Sequence, residues 1–212
     1  MLDRTADEPL EQLRRVFPPG PFLDRRLGRA FAFQALYEMD QGHHAPSQVL
    51  DRLAGVFAED GPDPYSTEVL GSATAYAQGL VKGVLSNRTP IDAVIQQRAP
   101  LWPLAQMSAV DRNVLRIGLY ESLYGNATVP LRTAINEAVE LAKLFGSETS
   151  AKFVNGVLGR AVEANASGEG SPPAAPHQPP SGDQSAGQST RAEHTSAQGA
   201  SDTTTHPATS AG

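Results

Sequence analysis

Between residues 22 and 164, apolar residues recur at intervals of three and four, and no segment shows sustained alternation. That pattern predicts a series of amphipathic helices and no sheet. The first predicted helix follows Pro21 to Leu23, with Asp24 as its cap or first-turn acid, and carries Ala30, Phe33, Leu36 and Tyr37 as its stripe. Gln41-Gly42-His43-His44-Ala45-Pro46 ends it with turn chemistry. A second helix is predicted over Ser47 to Ala58, with Val49, Leu50, Leu53, Val56 and Phe57 inward. After the break Asp60-Gly61-Pro62-Asp63-Pro64, Ser66 or Thr67 opens a long helix marked by Leu70, Ala73, Tyr76, Leu80, Val81 and Val84.

Thr89-Pro90-Ile91-Asp92 reads as a strong helix start, a Thr cap followed by Pro and an acid. Leu101-Trp102-Pro103 follows as a rigid connector, and its tryptophan is expected to be buried against the core. Ser108, with Asp111 three residues on, marks a capping box for the next helix, which carries Val110, Val114 and Ile117. Val129 to Ala161 reads as a helical hairpin. Pro130 suits a first helical position, Gly146 a stop, and Ser147 a cap for the last helix. About seven helices with short loops predict an all-α bundle.

Composition divides the chain. From Ala166 to Gly212 there is no Ile, Leu, Val, Met, Phe, Trp or Tyr, so this tail lacks the apolar surface to offset chain entropy and is expected to be disordered. The expected organisation is a flexible extension over 1–21, a helical domain over 22–164 and a low-complexity tail over 165–212. Net charge is −6, and the tail's Glu169, Asp183, Arg191, Glu193 and Asp202 supply −3 of it, leaving about −3 for the rest. No global basic signature marks a nucleic-acid binder, so any RNA site must be a local patch. Without cysteine there is no disulfide framework or thiolate metal site, which fits a reducing cytoplasm. No run is long enough to cross a bilayer.

No constellation for catalysis emerges. His43 and His44 are adjacent in a loop, and no phosphate-binding glycine loop or nucleophile elbow is present. Acids such as Glu137, Glu140 and Glu148 suit a solvated face. What does stand out is basic: Arg25, Arg26 and Arg29 fall within five residues at the start of the first helix. Arg25 and Arg29 lie one turn apart and project from one side, and Gln34 and Tyr37 continue down the helix as an amide and a ring.

Three stretches in order, RRLGRAFAFQALYEMD at Arg25 to Asp40, DRNVLRIGLYE at Asp111 to Glu121, and AINEAVELAK with KFVNGVLGRA, resemble the bacterial transcription antitermination factor NusB family. The resemblance covers Arg25 to Ala161 and implies a compact two-subdomain helical fold that binds single-stranded boxA-like RNA, with no enzyme activity and no cofactor. It places RNA contacts at Arg25, Arg26, Arg29, Gln34, Tyr37, Lys152 and Phe153, with a core role equally open for Phe153. It also implies a partner, ribosomal protein NusE, which joins the protein on boxA RNA within an elongation complex of RNA polymerase on ribosomal RNA operons. Asp111 matches an acidic position facing that partner. Leu27 and Gly28 dilute the basic run, and Thr149 stands where some relatives have an acid. Two other readings are a protein-binding scaffold without RNA binding and the RNA-binding domain of a ribosomal RNA cytosine methyltransferase. The latter predicts a cysteine-bearing α/β domain after Ala161, where a low-complexity tail stands instead.

Overall fold

A computed structural model describes residues 16–18, 20–42, 44–59, 66–125 and 129–168, without the side chains of 56–59. The expected tail beyond 168, most of the N-terminal extension and His43 lie outside the described residues. Among the described residues seven α-helices follow one another: α1 Leu23–Asp40, α2 Pro46–Glu59, α3 Thr67–Ser86, α4 Arg88–Arg98, α5 Ala109–Leu119, α6 Leu131–Phe145 and α7 Ser150–Ala166. No strand occurs among the described residues.

Local chemistry sets most of the boundaries. Ser66 Oγ accepts from the Val69 amide at 3.3 Å, and Ser108 Oγ from the Asp111 amide at 3.0 Å, each satisfying a donor that the first turn leaves over. α1 closes at Gln41 and Gly42, the latter at φ 75°, where a side chain is disfavoured. Four starts differ from the sequence expectation, α2 only by opening at Pro46, one residue before Ser47. α4 begins at Arg88 with Asn87 as its cap, so Thr89 sits inside the helix. Pro90 still fits because a first-turn residue needs no intrahelical acceptor. Pro130 is the cap of α6 and not its first residue. Ser147 to Thr149 form a turn before α7, in which the Ser147 amide donates to Ser150 Oγ at 2.9 Å.

Helices α1, α2 and α3 pack on one another, with α1 against α3 the most extensive contact. Gly28 makes that crossing close: a Cβ there would lie 2.8 Å from the Ala73 carbonyl oxygen and 2.9 Å from the Tyr76 ring. Helices α5, α6 and α7 form a second group, and α4 leans on α5 and α7. Leu27, Phe31, Leu36, Leu50, Ile91, Ile95, Leu115, Ile117 and Leu158 are fully buried, each worth roughly 1.5–3 kcal/mol of transfer free energy.

Where the groups meet, Asp40 at the end of α1 accepts from Arg112 Nη2 (3.0 Å), Arg116 Nη1 (3.1 Å) and Asn113 Nδ2 (3.1 Å) of α5. Arg116 also grips Asp92 of α4 through two parallel hydrogen bonds of 2.8 and 2.9 Å. Burial works to raise the Asp40 pKa, but the arginines outweigh it and hold the carboxyl below the usual aspartate range.

After Leu119 the helix widens into a π turn over Tyr120–Tyr124, which the sequence pattern did not foretell. The turn carries Glu121 into the interior, 5 % exposed, with α1 on one side and α3 on the other.

Candidate nucleic-acid interface

The three arginines at the start of α1 have separate environments. Arg25 is exposed and Arg26 half-exposed. The Arg25 guanidinium lies 4.3 Å from the centre of the Tyr76 ring on α3, and that of Arg26 lies 5.6 Å from the Phe17 ring. Arg29 departs from the expectation of a uniformly solvent-facing patch: it is 4 % exposed. Its Nε donates to Glu121 at 2.9 Å and its Nη1 to Glu137 at 3.3 Å. It also lies 5.5 Å from the same Tyr76 ring. Arg25 and Arg29 therefore do face one side, as a one-turn spacing requires, but the inner one is consumed by internal carboxylates. Burial alone would lower the Arg29 pKa; the Glu121 hydrogen bond and charge more than reverse this, so the guanidinium stays charged. The Tyr76 hydroxyl donates to Glu121, and burial together with that carboxylate pushes its pKa well up, keeping the phenol neutral.

Gln34 and Tyr37, further along α1, are half-buried. The Gln34 amide donates to Glu38 at 2.9 Å. The Tyr37 ring leans on Phe33 at 6.0 Å, which in turn stacks on Phe145 at 4.5 Å. Neither residue enters the cluster around Tyr76.

A second cluster gathers at the start of α7. An open groove of about 640 Å³ is lined by Trp102, Gln106, Met107, Ser108, Asp111, Thr149, Lys152 and Phe153. Lys152 is exposed and Phe153 half-buried against the core, so both expectations for that ring have a basis. Asp111 Oδ1 is shielded from solvent without a hydrogen-bond partner among the described residues, so the capping box is only half made. The fold thus brings Asp111, expected at the partner, beside Lys152 and Phe153, expected at the RNA.

Trp102 corrects the sequence expectation outright: it is 57 % exposed and meets the Phe153 ring edge-on at 6.1 Å and 66°. The connector between Pro100 and Pro103 is a surface turn, and it leaves Leu101 88 % exposed. Composition alone favours burying a lone tryptophan; the flanking prolines were the available signal that it sits on a turn. Tyr76 and Glu121 were missed as parts of the arginine cluster because the helix pattern marks Tyr76 only as core and gives no sign of a π turn.

An all-α scaffold bearing two surface clusters of cations and aromatic rings is the class of protein these features define. The NusB family model matches residues 26–163, and the chain belongs to the NusB family. A relative from Heliobacterium modesticaldum, named transcription antitermination protein NusB, is 41 % identical over 141 residues, 65 % of this chain. The chain spans 62 % of that relative's length. Among solved structures, NusB of T. maritima is 33 % identical with a TM-score of 0.53, covering 66 % of this chain and 90 % of that one. A structure described as antitermination factors NusB and NusE in complex with dsRNA contains a chain 27 % identical, with a TM-score of 0.54. That match covers 66 % of this chain and 97 % of the other. No described helix is long and apolar enough to cross a membrane.

Proposed function

We propose that this protein is a transcription antitermination factor that holds single-stranded boxA-like RNA together with ribosomal protein NusE. It acts in the cytoplasm, on an elongation complex transcribing ribosomal RNA operons. The observation that carries this reading is the groove at the start of α7, where Asp111 sits with Lys152 and Phe153. A basic ribosomal protein meeting Asp111 and RNA meeting Lys152 would lie side by side there, so each would raise the affinity of the other.

Arg25 and Arg26 supply phosphate contacts at the other cluster. Arg29 serves them from behind, by fixing Tyr76 through Glu121. Tyr37 and Gln34 lie along the same helix and contribute to base contacts where the RNA runs past them. The antitermination reading as a whole, with NusE and RNA as partner classes, is supported by the named relatives and by the NusB–NusE–dsRNA complex.

Binding of a labelled boxA-like RNA, with and without NusE, tests it. Three phosphate-contacting cations, Arg25, Arg26 and Lys152, give a log–log salt slope of roughly −2, at about −0.7 per contact on single strands. The double substitution Arg25→Ala/Arg26→Ala brings the slope to roughly −0.7 while helicity is retained. Asp111→Ala leaves binding of RNA alone unchanged and reduces the gain from NusE. RNA binding indifferent to all three cations would refute the reading.

A further inference from the structure

We infer, resting on the RNA-binding reading above, that the Trp102 indole is the platform on which one unpaired base of the bound RNA stacks. Trp102 is held as a platform needs to be. Its amide donates to the Ala99 carbonyl at 3.0 Å, closing the turn that follows α4. On its other side the Gln106 and Met107 amides donate to the Pro103 carbonyl at 2.8 and 3.1 Å. The Leu104 amide donates to Gln96 Oε1 at 3.2 Å, and Arg112 Nη1 to the Leu104 carbonyl at 3.1 Å. A connector pinned at so many points fixes its side chain's starting bond, so little freedom is left to lose when a ligand arrives.

The ring itself is half in and half out. Phe153 braces it edge-on, a favourable aromatic geometry, and 57 % of the residue remains exposed. Lys152, the neighbour of that brace, is an exposed cation on the same groove. A flat indole beside a cation is the pair of features a nucleotide matches: the base gives a π face and the phosphate a negative charge. The groove, at about 640 Å³, lies in the range that admits groups of this size. Phe153 then acts as a positioning residue for the indole, which explains how a ring packed against the core still bears on RNA.

Trp102 is the only tryptophan in the chain, so its fluorescence reports this one position. The full-length protein is titrated with unlabelled boxA-like RNA, and binding is followed in parallel by anisotropy of the labelled RNA. The expected result is quenching of the indole that saturates with the same midpoint as the anisotropy. Trp102→Ala is expected to weaken binding roughly five- to a hundred-fold, the range of one base–aromatic stack. Its salt slope should not change, whereas Lys152→Ala lowers the slope by about 0.7. Trp102→Phe, which keeps a ring, should recover much of the affinity. Circular dichroism checks that each variant is folded.

If RNA binds while the indole stays silent and Trp102→Ala binds normally, the platform is refuted and the RNA-binding reading survives. If the indole responds to NusE and not to subsequent RNA, it is a protein contact and the platform is again refuted. If no RNA binds with or without NusE, the RNA-binding reading falls and the platform with it.

Discussion

Phe22 precedes α1 with φ 62° and ψ 24°, the left-handed region, and three-quarters of its surface is exposed. A β-carbon in that region costs about 1–2 kcal/mol, and so exposed a ring regains little of it by burial. Asparagine tolerates the conformation better, so Phe22→Asn is expected to stabilise the fold by about 1 kcal/mol, read from the urea midpoint at unchanged m-value. Arg25 and Arg29 make the complementary contrast. Arg25→Ala should lower RNA affinity and leave the midpoint within about 0.5 kcal/mol, as for other exposed sites. Arg29→Ala strands Glu121 in the interior and should cost about 3 kcal/mol, the scale of breaking a buried pair from one side. Sequence placed these residues on one helix side correctly. Their different depths depend on which helix crosses above them, and a single-helix periodicity holds no information on that.

At the scale of elements, the α1–α3 crossing and the π turn act as a unit. Gly28 lets Tyr76 come close enough to α1 for its ring to receive two guanidinium groups. Gly28→Ala is expected to force the helices apart at a cost of about 1–3 kcal/mol, the usual penalty of overpacking. RNA affinity should fall with it, because Tyr76 moves away from Arg25. Read as sequence, Gly28 only diluted a basic run; in the fold it is what allows the run to be organised. The π turn was illegible for a related reason. One extra residue per turn shifts Glu121 inward, while the apolar spacing through Leu119 still reads as an ordinary helix. The helices themselves were legible because their stripes are long, and their starts moved by one to three residues because several polar residues near each start can serve as cap.

For the whole molecule, Asp40 ties the end of α1 to α5, and through Arg116 to Asp92 on α4. Its folded pKa is depressed relative to the unfolded chain, so its contribution is complete above the ordinary aspartate range, near 4. The contribution is lost as pH falls through the lower folded value. Asp40→Asn should therefore cost stability at neutral pH, about 3 kcal/mol with Arg116 left buried beside it. The variant's stability should also fall less steeply than wild type below pH 4. An unchanged acid limb in the variant would show that other carboxylates govern acid unfolding.

The groove at the start of α7 is walled by segments some fifty residues apart in the chain, the connector after α4 and the first turn of the last helix. Opening either wall abolishes it, so whatever fills it is a ligand of the closed population alone. RNA at a hundred times its dissociation constant would then add about 2.7 kcal/mol against unfolding. For a domain of this size that is a rise of several degrees in the thermal midpoint. Protease resistance of the last helix would rise with RNA concentration, so occupancy of the groove would help set how long each molecule escapes degradation.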